Sequence, residues 1–173
     1  MGLRKGTVNV IYFPDEDAVA LQYRESLYTY HQFWSFEGRD VFLKALEQYA
    51  EDFTARNFTN SSRRSRRTYG TVEGFLIWQM HSFTTQARGN MDVELGYFFK
   101  NRAPYFTVTQ REAEYIHPEF KSENRTSKTI IMYFTRAQAA ELAALFDRQF
   151  LDGLTPVGTP RRIINRNIDF DEY

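Results

Sequence analysis

The chain reads as an α+β protein in which curved antiparallel sheets carry two packed helices, in the order βββα–ββββα. Three observations predict this. Aromatic and β-branched residues alternate with a period of two in several short stretches. Two longer stretches place apolar residues at helical spacing instead. A polar, basic run then separates two strand-then-helix blocks.

In the first block, Thr7–Phe13 alternates Val8, Val10 and Tyr12 with Asn9, Ile11 and Phe13, and reads as a strand. Pro14-Asp15-Glu16-Asp17 is a turn, and strands are predicted over Ala18–Arg24 and Leu27–Phe36. A helix is predicted over Arg39–Arg56, because Val41, Phe42, Ala45, Leu46, Tyr49 and Phe53 share one face. The second block has predicted strands at Thr71–Phe83, Met91–Lys100, Pro104–Arg111 and Thr129–Phe134, with Arg88-Gly89-Asn90 as a turn and Glu112–Lys128 as a polar excursion. Its helix starts from a capping box, Thr135 with Gln138 three residues on. It buries Ala139, Leu142, Ala143, Phe146 and Phe150, and Gly153 stops it. The expected organisation is one domain, 1–154, whose halves 1–58 and 69–154 are joined by a basic loop, 59–68, with a flexible tail over 155–173.

Composition narrows the function. A chain of 173 residues can bury a core without covalent staples. The absence of cysteine excludes a disulfide framework, a thiolate metal site and a Cys nucleophile. No apolar run approaches the roughly 20 residues that span a bilayer, and no apolar region follows the first residues, so a cytoplasmic protein without a membrane partner is expected. Lys+Arg and Asp+Glu both number 22, which excludes a globally basic nucleic-acid binder but not a locally basic one. The unusual feature is the aromatic fraction of 17%. Such residues usually build a strand-rich core, and on an exposed sheet face they form a stacking platform.

Catalytic motifs are not legible. His31, His81 and His117 stand apart, without metal-ligand spacing. The glycines form no phosphate loop, Ser61, Ser62 and Ser65 lie in a polar loop, and Asp15, Glu16 and Asp17 read as a solvated acidic turn. No cofactor is therefore expected.

Two basic segments carry the functional reading. Arg63, Arg64, Arg66 and Arg67 put four guanidinium groups into five positions, with no acid between Asp52 and Glu73. Guanidinium forks suit phosphate oxygens and also stack on bases. The plain alternative is a solvated linker. The segment from Tyr97 to Arg111 interleaves aromatics with bases. Its candidate stacking residues are Tyr97, Phe99 and Tyr105, with Trp78 from the preceding strand, and its candidate phosphate contacts are Lys100, Arg102 and Arg111. The plain alternative there is a sheet core with basic edges that deter pairing.

The C-terminal residues Asn167-Ile168-Asp169-Phe170-Asp171-Glu172-Tyr173 resemble the acidic tip of bacterial and phage single-stranded DNA-binding proteins. That resemblance implies a partner-binding role for Asp169, Phe170, Asp171, Glu172 and Tyr173 toward replication or repair proteins, and competition with DNA for a basic groove. Tyr105–Glu112, then the strand Thr129–Phe134 running into the second helix, looks like the last half of a PUR-type repeat. PUR and whirly proteins bind single strands on curved four-stranded sheets, and an OB-like barrel is the alternative architecture. The expected function is non-enzymatic, weakly sequence-selective single-stranded DNA or RNA binding in phage or bacterial replication or recombination. The alternatives are an assembly subunit of a virion or complex and an enzyme without a legible motif. Oligomeric state is left open, a homo-oligomer included.

Overall fold

A computed structural model describes residues 4–13, 16–60, 66–81, 86–100, 102–116, 126–147 and 164–172. Its strands are β1 (Arg4–Phe13), β2 (Ala18–Glu25), β3 (Tyr28–Trp34), β4 (Arg66–Met80), β5 (Ala87–Lys100), β6 (Ala103–Gln110), β7 (Ile130–Phe134) and β8 (Ile164–Glu172). Helix α1 (Phe36–Ala55) lies between β3 and β4, and α2 (Arg136–Phe146) between β7 and β8. The strands pair antiparallel in chain order and close into a barrel. The seam β7–β8 is short, with the pairs Met132↔Glu172 and Tyr133↔Asp171, whereas β8 pairs with β1 from Ile164 to Glu172.

Local chemistry sets the helix boundaries. Ser35 is extended, and its hydroxyl accepts the Gly38 backbone N–H at 3.2 Å, so α1 starts at Phe36 rather than at Arg39. Arg56 ends α1 in the left-handed conformation, its N–H turned back to the Asp52 and Phe53 carbonyls. The Thr135–Gln138 capping box of α2 forms as its spacing predicts. That helix is shorter than expected: Asp147 is already extended, so α2 ends at Phe146, while Phe150 and Gly153 lie outside the described residues.

Both helices lie on the inner face of the sheet. Phe42 of α1 stacks on Phe146 of α2 at 4.3 Å and meets Trp34 and Phe106 edge-on at 4.8 and 5.9 Å. Burial of a ring of that size contributes about 1.5–3 kcal/mol over leaving it in water. Toward the other end of the barrel, Tyr23 stacks on Tyr30 and its hydroxyl donates to Gln110 Oε1. The Gln110 amide in turn donates to the Lys128 carbonyl at 3.1 Å. An unpaired buried amide would be costly, and this network keeps Gln110 satisfied.

The element order contains a repeat that the sequence does not display. Units β1-β2-β3-α1-β4 and β5-β6-β7-α2-β8 share one βββαβ pattern. Trp34, opposite Val19 and just before the N-cap Ser35, corresponds to Phe134, opposite Phe106 and just before the N-cap Thr135.

The α+β class and the two helices agree with the sequence reading, and the closed sheet is barrel-like, as the alternative architecture anticipated. Three segments differ. Residues Arg66 to Thr68, expected in the basic loop, begin β4. Arg88-Gly89-Asn90 lies inside β5 rather than in a turn. Residues 164–172, expected in a flexible tail, form the strand that closes the barrel onto β1. Ile164, Ile168 and Phe170 alternate there with Asn165, Asn167, Asp169 and Asp171. Asn and Asp are poor strand formers, and their density hides that period of two.

Candidate nucleic-acid interface

Alternation along β4–β7 divides the side chains into two rows. Tyr97, Phe106 and Phe134 point inward toward the helices and are buried. The intervening residues point outward, and the register sets them side by side. Arg66 faces Phe98, which faces Tyr105. Thr68, Gly96, Thr107 and Tyr133 form the next row, and Glu94, Thr109 and Ile131 the one after. All of these except Tyr105, together with Arg111, line an open outer cleft of about 290 Å³.

Three aromatic rings meet at one end of this face. Phe98 and Tyr105 are half-buried, and each packs edge-on against Tyr133, at 6.0 and 6.2 Å. Lys100 Nζ is buried, 5.4 Å from the centre of the Tyr133 ring and within cation–π range of it. The Arg66 side chain is exposed at the cleft edge. At the far side Arg111 grips Glu94 through Nη2 at 2.6 Å and Nε at 3.2 Å. The face therefore combines flat π surfaces with the cations Arg66 and Arg111 and three threonines, Thr68, Thr107 and Thr109, and one carboxylate marks its limit.

A bulge shapes the cleft wall. The β4–β5 register shifts between Thr68 and Gly70, which makes Tyr69 the extra residue. The β4 backbone crosses so close that a Cβ on Gly96 would sit 2.1 Å from the Arg67 carbonyl oxygen, so glycine is required by contact. Tyr69 donates its hydroxyl to Asp52 of α1 at 2.7 Å. Burial first, and then this bond to a carboxylate, push the Tyr69 phenol far above its ordinary range.

The sequence-predicted residues divide between the two faces. Arg66 and Arg111 line the outer cleft, and Tyr105 lies on the same face opposite Phe98, whereas the Lys100 Nζ, expected to meet phosphates, is buried against the Tyr133 ring. Arg102 is exposed at the tip of the β5–β6 hairpin, in the left-handed region at φ 67°. Arg67 has the opposite parity from Arg66: its Nη1 is 3.5 Å from Asp52, and its guanidinium lies over Tyr69. Three stacking candidates belong to the interior. Trp78 is 4% exposed and meets Tyr115 edge-on. Tyr97 is equally buried, with its ring 4.8 Å from Phe58 and its hydroxyl accepting the Thr59 backbone N–H. Phe99 packs against both Phe58 and Tyr97. Arg63 and Arg64 lie outside the described residues.

The acidic tip is also placed differently from the expectation. Asp169, Phe170, Asp171 and Glu172 are strand residues, opposite Thr7, Gly6, Lys5 and Arg4 of β1. Asp169 accepts the Thr7 hydroxyl at 3.0 Å. Tyr173 lies outside the described residues. Sequence reasoning missed Phe98, Thr107, Thr109 and Tyr133. The signal for Phe98 was present: pairing of Lys100 with Ala103 puts it opposite Tyr105.

The chain belongs to the family described as Uncharacterised Treponema protein. The match covers residues 2–153, which include β1–β7, both helices and every cleft residue named above. No curated protein and no solved structure matches the chain.

Proposed function

We propose that this protein binds single-stranded nucleic acid along the outer face of β4–β7, without catalysing a reaction on it. The observation that carries the reading is the juxtaposition of the half-buried Phe98 and Tyr105 rings, backed by the buried Tyr133, with the exposed Arg66 and Arg111 on one outer face. Bases stack on the half-buried rings of Phe98 and Tyr105, with Tyr133 beneath as an edge-on support. Phosphates run past Arg66 and the exposed flank of Arg111, and Glu94 keeps the backbone from the far side of the cleft. Stacking accepts every base, so this face binds with little sequence preference.

The topology supports a PUR- or whirly-like reading of the fold. Around the barrel, β8-β1-β2-β3 precede α1 and β4-β5-β6-β7 precede α2. Each helix thus follows a four-stranded antiparallel sheet, and the C-terminal strand supplies the fourth member of the first. The outer face also favours water over lipid, because Glu73, Arg88, Asp92 and Glu94 all point outward from β4 and β5.

The test is fluorescence-detected binding to oligo-dT across a salt series, with duplex DNA of the same length as comparison. The wild type is expected to prefer the single strand, with log affinity falling linearly against log salt. Arg66→Ala and Arg111→Ala should each flatten the slope by about 0.7. Salt-independent binding, or equal slopes in the variants, would refute phosphate contact at this face.

A further inference from the structure

The βββαβ repeat relates two outer faces, and only one of them has been assigned a role. In β1–β3 the outward residues Phe13 and Phe33 occupy the places that Phe98 and Tyr133 hold in β5–β7: Phe33, like Tyr133, lies one residue before the inward ring that precedes the helix N-cap. The ring pairs match in spacing, 5.7 Å for Phe13–Phe33 and 6.0 Å for Phe98–Tyr133. Both Phe13 and Phe33 are half-buried, which leaves part of each ring at the surface.

Beside the rings the two faces differ. The β5–β7 cleft has Glu94, Thr109 and Ile131 in a row, whereas β1–β3 has Asn9, Gln22 and His31. Asn9 Nδ2 donates to Gln22 Oε1 at 3.1 Å, and Gln22 Nε2 lies 2.7 Å from His31 Nε2. The Gln22 amide nitrogen has only hydrogens to offer, so His31 Nε2 accepts and the ring carries its proton on Nδ1. Burial lowers the His31 pKa, which keeps this neutral form at pH 7. The imidazole also lies 6.5 Å from the Phe33 ring, nearly parallel to it. Three groups with directional donors and acceptors are thus held in line next to an aromatic pair.

We infer that the outer face of β1–β3 is a second nucleobase platform, at which the Phe13–Phe33 pair stacks bases and the Asn9–Gln22–His31 row reads their edges. The inference rests on the single-strand reading above and divides the labour within it: β4–β7 grips any strand, and β1–β3 supplies base preference. Amide side chains present donor and acceptor together and so match base edges, which threonine and isoleucine at the corresponding places do not. Arg24, two residues along β2 from Gln22, and Arg88, two strands beyond His31, are exposed and available to flanking phosphates. The outward acids Glu73 and Asp92, directly opposite each other on β4 and β5, repel a backbone passing between the platforms, so the two sites act separately.

The experiment titrates the full chain with short labelled single-stranded homopolymers and reads stoichiometry and relative affinity. Two oligonucleotides per chain are expected, with roughly tenfold preference for one base type. A Gln22→Leu/His31→Leu variant should bind one and lose the preference, while an Arg66→Glu/Arg111→Glu variant should bind one and keep it. If the leucine variant misfolds, the His31 ring signals of the wild type, followed by NMR, decide the point: they must shift on titration. One site that is lost with Arg66 and Arg111 and leaves the His31 signals unmoved overturns the second platform alone. One site that is lost with Gln22 and His31 overturns the β4–β7 reading alone. No binding by the wild type overturns both.

Discussion

Separate alanine replacements of Tyr97 and Tyr105 probe the two faces of one hairpin. Tyr97 is 4% exposed, and its ring lies 4.8 Å from Phe58, 5.9 Å from Tyr69 and 6.0 Å from Phe99. Removal of such a ring leaves a cavity that its neighbours only partly fill, at a cost of about 3–5 kcal/mol. That is a large share of the roughly 5–15 kcal/mol that holds a domain folded. At about 2–4 °C per kcal/mol for a chain of this size, Tm should fall by roughly 6–20 °C. Tyr105 has the opposite parity, is half-buried and touches Tyr133 at 6.2 Å. Its loss should cost less than about 1 kcal/mol of stability. It should instead weaken single-strand affinity by roughly 5- to 150-fold, the equivalent of about 1–3 kcal/mol for a stacked base. Thermal melting and oligonucleotide anisotropy, run on both variants, separate the effects. If Tyr105→Ala melts early and binds normally while Tyr97→Ala does the reverse, the inward and outward rows have been assigned the wrong way round.

Gly96→Ala should destabilise the fold by about 1–3 kcal/mol, because the new methyl group would meet the Arg67 carbonyl 2.1 Å away and the β4 backbone would have to move; an unchanged Tm would mean that the bulge yields freely. Deletion of residues 164–172 should expose the edges of β1 and β7 and produce self-association, visible in size-exclusion chromatography. A monomer with unchanged Tm would show that barrel closure contributes nothing. Alkaline pH should destabilise the protein through Tyr49, whose phenol burial pushes up to about 12. The folded chain keeps that proton between pH 10 and 12 where the unfolded chain releases it, so stability falls as pH rises through this window. Tyr49→Phe should reduce the pH dependence of urea unfolding there, though not abolish it, because the Tyr69 phenol is raised in the same direction.

Much of the local structure was legible because its causes are local. The capping box of α2 needs only Thr135 and Gln138. The apolar spacing of Phe42, Ala45, Leu46 and Tyr49 needs only the period of a helix, and each of these residues is buried as that period requires. The Tyr97–Arg111 segment reads as two strands mixing rings and cations, and three of the residues chosen as nucleic-acid contacts, Arg66, Tyr105 and Arg111, share the outer face, while the Lys100 Nζ is buried. The choice of Tyr97 and Phe99 over Phe98 was a slip of one residue. A period of two says which residues share a face but not which face meets the core, and one residue of slip exchanges the two sets.

From the amino-acid sequence alone follow the helices, most of the strands, and the presence of an aromatic and basic hairpin, because propensity, capping and periodicity act between near neighbours. Which rings are buried was decided by α1 and α2 packing on the inner face, where Phe42 and Tyr49 cover Phe106, and by the segment after α1, where Phe58 covers Tyr97. Closure was decided by β8, whose Asn- and Asp-rich sequence is a strand because β1 offers it an unpaired edge from Arg4 to Tyr12. Such an edge belongs to a distant part of the chain. Its backbone hydrogen bonds exist only after the barrel has brought residues more than 150 positions apart side by side, as in the pair Thr7↔Asp169, which a side-chain hydrogen bond also joins.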